Sequence, residues 1–152
     1  TGIAQAVGSQ SVVVVIDVRE SKRGYGVWTH NGRRDTGKDL EQAAREAEQA
    51  GAGEVVVNSI DCDGVMKGYD LKLAARARAT TRLPLTMLGG AGSLGDVGKL
   101  IETCGVLGAA AGSLFVLKGA YRAVLINYPS QVQRDDLIRA ALGKRGSAPP
   151  VT

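Results

Sequence analysis

The sequence predicts an α/β fold in which parallel strands lie beneath helices. Two observations carry that expectation. Four apolar runs, Val12 to Ile16, Val55 to Ile60, Leu83 to Leu88 and Val106 to Ala111, show no polar alternation, and the first two are rich in β-branched residues. Such runs suit strands buried on both faces. Segments with helical periodicity separate or follow them, so the order is β-loop-α repeated about four times, which makes the strands parallel and the crossovers right-handed.

The first run leads into Tyr25 to Thr29 and Asn31-Gly32, read as a hairpin inserted in the first βα loop. The helix expected next, Asp39 to Ala50, places Leu40, Ala43, Ala44 and Ala47 on one face and Glu41, Arg45 and Glu48 on another. Gly51 is placed to end it. After the second run comes a helix over Asp70 to Ala79, ended near Pro84. The third run precedes a helix over Ser93 to Cys104, with Ser93 placed to cap and Asp96 near the positive helix end. A last helix runs over Gln131 to Leu142 and is closed by Gly143. The expected domain covers residues 1–145, with a disordered tail at 146–152.

Bulk properties narrow the function classes. The 152 residues suit one compact unit, and only 4% are aromatic, so the core must be aliphatic. The net charge is +4, but the basic residues are scattered, with no basic run interleaved with aromatics. An anionic small molecule is a better expectation than nucleic acid. The two cysteines, Cys62 and Cys104, form no Cys-x-x-Cys and have no histidine nearby, which argues against zinc and against a disulfide framework. No metal and no cofactor are expected. No apolar stretch reaches the ~20 residues of a membrane span, and no signal peptide is read, so no membrane association and a cytoplasmic default are expected. The chain opens on Thr1 rather than Met, which fits a fragment or a processed product.

Ligands of α/β folds sit at the C-terminal ends of parallel strands, so chemistry is expected at the end of each run. Asp17, a lone carboxylate at the end of the first run, is a candidate general acid or base; the alternative is an aspartate holding a turn. The second run ends in Asp61-Cys62-Asp63-Gly64. A calcium loop would need a Glu at its twelfth position, where Lys72 stands. Gly64 would instead let backbone amides approach an anion. The third run ends in Gly89-Gly90-Ala91-Gly92 before a helix, and the fourth in Ala111-Gly112-Ser113 before a helical turn. Two glycine turns on neighbouring last strands suit a phosphate. Cys62 has nothing nearby in sequence to lower its pKa, and His30, the sole histidine, reads as a loop residue.

Taken together, Val14-Val15-Ile16-Asp17, Asn31-Gly32, Thr36-Gly37, Gly51-Ala52-Gly53-Glu54, Ser59-Ile60-Asp61-Cys62-Asp63-Gly64, Gly68-Tyr69-Asp70, Gly89-Gly90-Ala91-Gly92 and Ala111-Gly112-Ser113 occur in the order of one family. Over roughly Gly8 to Phe115 the chain resembles the cyclase subunit of imidazole glycerol phosphate synthase. The resemblance implies the C-terminal half of a (β/α)8 TIM barrel. It implies an enzyme of histidine biosynthesis, a lyase-type cyclase, that takes ammonia from a glutaminase subunit and works on a phosphorylated substrate. By the same carry-over Asp17 is one of two catalytic aspartates, the other belonging to the missing N-terminal half-barrel. Asp63, Gly64, Gly90, Ala91, Gly112 and Ser113 would hold one substrate phosphate. Glu54 would belong to a charged ring at the ammonia entrance; otherwise it is a solvated loop charge.

Two positions depart from that family. Asn58 and Leu88 stand where its members usually carry small hydroxyl residues facing the active site. Asn58-Ser59-Ile60-Asp61 and the ending from Leu114 to Pro129 resemble a sister group that works in acetamidino modification of surface-polysaccharide sugars. A non-catalytic phosphate-binding half-barrel and another phosphate-binding barrel, such as a sugar-phosphate isomerase, complete the readings. Four βα units leave open sheet edges, so the missing half or self-association is expected to cover them, and the chain alone is expected to be nearly inert. An independent doubly wound sheet is the structural alternative.

Overall fold

The computed structural model describes residues 2–119, 121 and 123–147. A short helix α1 (Gly2–Val7) and a 3-10 turn lead into β1 (Val13–Ser21), β2 (Gly24–Thr29) and β3 (Arg34–Asp39). Then follow α2 (Leu40–Gln49), β4 (Glu54–Ser59), α3 (Leu71–Thr80), β5 (Leu85–Leu88), α4 (Leu94–Cys104), β6 (Gly108–Ala110) and α5 (Ser113–Val116). A two-stranded ribbon, β7 (Leu117–Lys118) and β8 (Ala123–Val124), precedes α6 (Gln131–Ser147).

The main sheet has the order β3-β2-β1-β4-β5-β6. The four strands expected from the apolar runs, β1, β4, β5 and β6, are parallel and adjacent in chain order. A doubly wound sheet reverses its strand order at a switch point. This one does not, so that alternative is set aside. Helices α2, α3, α4 and α6 pack side by side in the same sequence.

The helix starts follow from the capping residues. Asp39 accepts from the Gln42 amide at 2.7 Å and Asp70 from the Leu73 amide at 2.9 Å. Ser93 and Asp96 form a reciprocal capping box on α4. Between sheet and helices, Val18, Val55, Val57, Leu40, Leu73, Met87 and Leu100 are fully buried.

The other face of the sheet differs from the expectation of strands buried on both sides. Burial alternates along β4, and on β1 Val13 and Val15 are 51% and 59% exposed. The runs are apolar on both faces, but the described residues cover only one.

Three further differences have physical causes. β1 does not end near Asp17 but continues to Ser21, because its second half pairs antiparallel with β2. The inserted hairpin is a β1-β2-β3 meander whose third strand, Arg-Asp-Thr-Gly-Lys-Asp, has no apolar pattern to announce it. Helix α6 passes through Gly143 and Gly146, so Gly143 does not close it and the first two residues of the expected tail are helical. Its end is held to α4: Lys144 Nζ lies 2.9 Å from Glu102 Oε1, and the Arg145 guanidinium donates to the Thr103 carbonyl at 2.6 Å. The rest of that tail, 148–152, lies outside the described residues.

Candidate active site

The C-terminal ends of the parallel strands gather most of the residues singled out from sequence. Asp63, Gly64, Gly90, Ala91, Gly112 and Ser113 line one small cleft, together with Met66, Leu88, Gly89 and Ala111. Three separate βα loops therefore converge on it.

Their roles in the cleft are not equal. A Cβ on Gly90 would lie 2.2 Å from the Gly68 carbonyl oxygen, and Gly90 has φ +106°. The Gly68 amide donates to the Gly90 carbonyl at 2.8 Å. Gly90 is thus required by the packing of two loops. A Cβ on Gly112 would meet nothing within 4 Å, and its φ of −96° suits any residue. The absent side chain there leaves room in the cleft itself. The helix terminus beside the cleft is already occupied by protein: Asp96 Oδ2 accepts from the Gly92 and Ser93 amides at 3.1 and 2.9 Å. Asp63 contributes to the wall, and its own amide is committed to the Ser59 carbonyl at 3.0 Å. An anion here would rest on the glycine turns rather than on the start of α4.

Asp17 sits in mid-strand of β1 but near the end of its parallel ladder with β4, whose last pair is Val18 with Ser59. Its ladder partner is Asn58. The Asn58 Nδ2 donates to Asp17 Oδ1 at 2.9 Å, while Asn58 Oδ1 is buried with no partner. Leaving such an oxygen unsatisfied costs about 1–3 kcal/mol. Asn58 appeared in the sequence only as a departure from a family pattern; a polar residue inside an apolar run was the available signal.

Asp17 also borders a groove with Trp28, Thr29, His30 and Asn31 of the meander. His30 is exposed and sits in a turn with φ 56°, its Nδ1 3.1 Å from Thr29 Oγ1. The meander is fastened rather than loose. The Arg19 guanidinium stacks over the Trp28 ring at 4.8 Å, contacts Asp61 at 3.4 Å and donates to the Gly32 carbonyl at 3.3 Å. Asp61, the first carboxylate of the Asp-x-Asp-Gly pattern, also accepts from the Glu20 amide at 3.0 Å. It ties two βα loops together and is not among the residues lining the glycine-turn cleft.

Glu54 lies at the opposite end of β4, about 13 Å along the strand from Asn58 at the usual rise per residue. Its Oε1 accepts from the Thr86 hydroxyl at 2.6 Å, so it is a held, half-buried carboxylate and not a solvated loop charge. Cys104 is buried, and burial pushes its thiol pKa up, which leaves it a packing residue. Among the described residues no group of three or more His, Cys, Asp or Glu side chains is arranged to hold a metal ion. Nor is any helix long and apolar enough to cross a membrane.

The model of the family described as "Histidine biosynthesis protein" matches residues 1–122. The chain belongs to this family. Relatives from Leptospira borgpetersenii and Leptospira interrogans, both named "Putative imidazole glycerol phosphate synthase subunit HisF", are 47% and 48% identical over 137 and 139 residues. These alignments cover 89% and 90% of this chain and 54% and 55% of the relatives. The "Imidazole glycerol phosphate synthase subunit HisF" of Clostridium botulinum is 41% identical over 117 residues, 76% of this chain and 46% of that protein. The chain thus spans about half the length of the curated relatives it matches. Membership in the histidine biosynthesis family agrees with the resemblance read from the motifs, and the parallel sheet agrees with the α/β fold read from the apolar runs.

Proposed function

We propose that this chain is the C-terminal, four-unit half of a (β/α)8-barrel cyclase subunit of the imidazole glycerol phosphate synthase type. In this reading residues 1–145 are the half-barrel domain. The subunit uses ammonia from a glutaminase partner on a phosphorylated substrate in histidine biosynthesis, as a lyase-type cyclase.

One observation carries the reading. Asp17 and the glycine-turn cleft lie at the same, C-terminal, ends of one singly wound parallel sheet whose second face is open. Barrel enzymes place their chemistry at those strand ends, with phosphate gripped by the last two βα turns. Asp17 acts as one of the acid–base pair. Gly64, Gly90, Ala91, Gly112 and Ser113 form the grip for one phosphate, and Asp63 completes its wall. The open face, with Val13 and Val15 on β1, becomes the barrel interior once the other units are in place. Glu54 stands at the opposite mouth, where ammonia would enter, held there by Thr86.

The test is ammonia-dependent turnover, by the full-length protein that contains this chain, of a two-phosphate formimino nucleotide, the substrate that the resemblance to the cyclase subunit implies. Wild type is expected to turn it over, and Asp17→Asn to lose about 10²–10⁴-fold in kcat, the range of general acid–base catalysis. A folded wild-type barrel that binds phosphate but gives no turnover would overturn the reading, as would full activity in the Asp17→Asn protein.

A further inference from the structure

Asn58 is the one polar side chain within the β4 run that touches Asp17, and the fold holds it there against its own preference. The two residues are direct partners in the β1–β4 ladder, and the amide donates to Asp17 Oδ1 at 2.9 Å. The carboxamide cannot usefully turn over. Its Nδ2 is the only end that can donate, and a flipped amide would set Oδ1 against the Asp17 carboxylate. In the orientation seen, Oδ1 is buried without a partner, close to where a Cβ on Gly89 would stand, 3.2 Å away. An apolar residue of the same volume would satisfy the run and leave no orphan. Local rules broken in this way mark functional positions.

From this geometry we infer that Asn58 is the positioning residue for the Asp17 carboxylate. Its amide takes up Oδ1 alone, which fixes the rotation of the carboxylate and leaves Oδ2 for the reacting proton. Leu88, the next residue along the same row of the sheet, has no donor, and Trp28, the ladder partner of Asp17 on β2, lies under the Arg19 guanidinium; among the described residues Asn58 is the side chain that donates to Asp17. The inference rests on the reading of Asp17 as an acid–base group.

The experiment measures kcat and KM separately, with ammonium and the formimino nucleotide, in the full-length protein carrying Asn58→Leu, Asn58→Ala, Asp17→Asn and the Asp17→Asn/Asn58→Leu pair. Asn58→Leu removes the donor and the orphan together, so it should fold; Asn58→Ala, which also lacks a donor, is the second variant should it not. Losing the fixed carboxylate geometry is expected to lower kcat by about ten- to a hundredfold with KM within about twofold. The double variant is expected to be no slower than Asp17→Asn, because the two residues act as a unit. Unchanged kcat in both Asn58 variants would overturn the inference, and so would losses that multiply in the double variant. Absence of turnover in wild type would instead sink the reading of Asp17. The pairing is then decided by the Asn58 side-chain amide protons in nuclear magnetic resonance. Slow exchange that becomes fast in Asp17→Ala supports it, and exchange indifferent to Asp17 overturns it.

Discussion

At the scale of single residues, the glycines around the cleft separate into two kinds, and the separation is measurable. Gly90→Ala forces a Cβ against the Gly68 carbonyl at a backbone angle only glycine adopts readily. It should lower the unfolding free energy by about 1–3 kcal/mol, read from a urea melt. Gly112→Val should leave that melt within about 0.5 kcal/mol of wild type and abolish binding of inorganic phosphate, read by calorimetry on the full-length protein. If Gly112→Val binds phosphate normally, the cleft is not the grip. Most of the cleft was legible in the sequence, because glycine turns after apolar runs have a mechanical meaning that needs no coordinates. The Asn58–Asp17 bond was not. They are 41 residues apart in the chain, and a ladder register cannot be read from one sequence. Nor could it show that Asp96 already fills the start of α4, although it marks Ser93 and Asp96 as helix-start residues.

Elements were legible where apolar periodicity defined them and obscure where charge or tertiary contact did. Helices α2, α3 and α4 begin at the caps their sequences advertise, whereas β3 is polar throughout and α6 outlasts two glycines through contacts with α4. Tyr69 shows how one side chain joins elements. It lies just before the cap of α3, is buried, and its hydroxyl donates to the Ala110 carbonyl on β6 at 2.9 Å. Burial, and then the Asp96 carboxylate, push its pKa up to about 12 from 10.0. The folded chain therefore holds this proton more tightly than the unfolded chain. Its stabilising contribution is intact below pH 10 and is lost as pH rises from 10 toward 12. Tyr25, buried and bonded to Asp70, is shifted in the same direction. Urea midpoints should fall across that window in wild type. In Tyr69→Phe the fall should be shallower, with Tyr25 still contributing, and the variant should be about 1 kcal/mol less stable at neutral pH. An equally steep fall in the variant would remove Tyr69 from the account.

For the whole molecule, the open sheet face is the dominant fact. The isolated 152-residue chain presents Val13 and Val15 to water on that face, along with a stretch of β1 edge that only β4 pairs. It is expected to self-associate, seen as a sedimentation coefficient that rises with concentration. Val15→Lys should suppress that rise with little change in the urea melt, since Val15 is already more than half exposed. Association undiminished in the variant would locate the contact elsewhere, for instance at Val124 and Ile126 near the ribbon, which are 79% and 83% exposed. The sequence foresaw the parallel units but not which face would stay uncovered, because its runs are equally apolar on both.

The order β1-β4-β5-β6 also governs how the molecule can be made. Each parallel strand bonds to the one synthesised just before it, and each crossover helix lies against its predecessor. A strand leaving the ribosome therefore finds its template already in place and has a single edge on which to add. No strand must be held open for a later arrival to slip between two earlier ones. Growth of this kind keeps the closing loops short and avoids the long searches that slow non-local pairing. It also means that a unit can be gained or lost at the growing edge without rewriting the pairing of those already laid down.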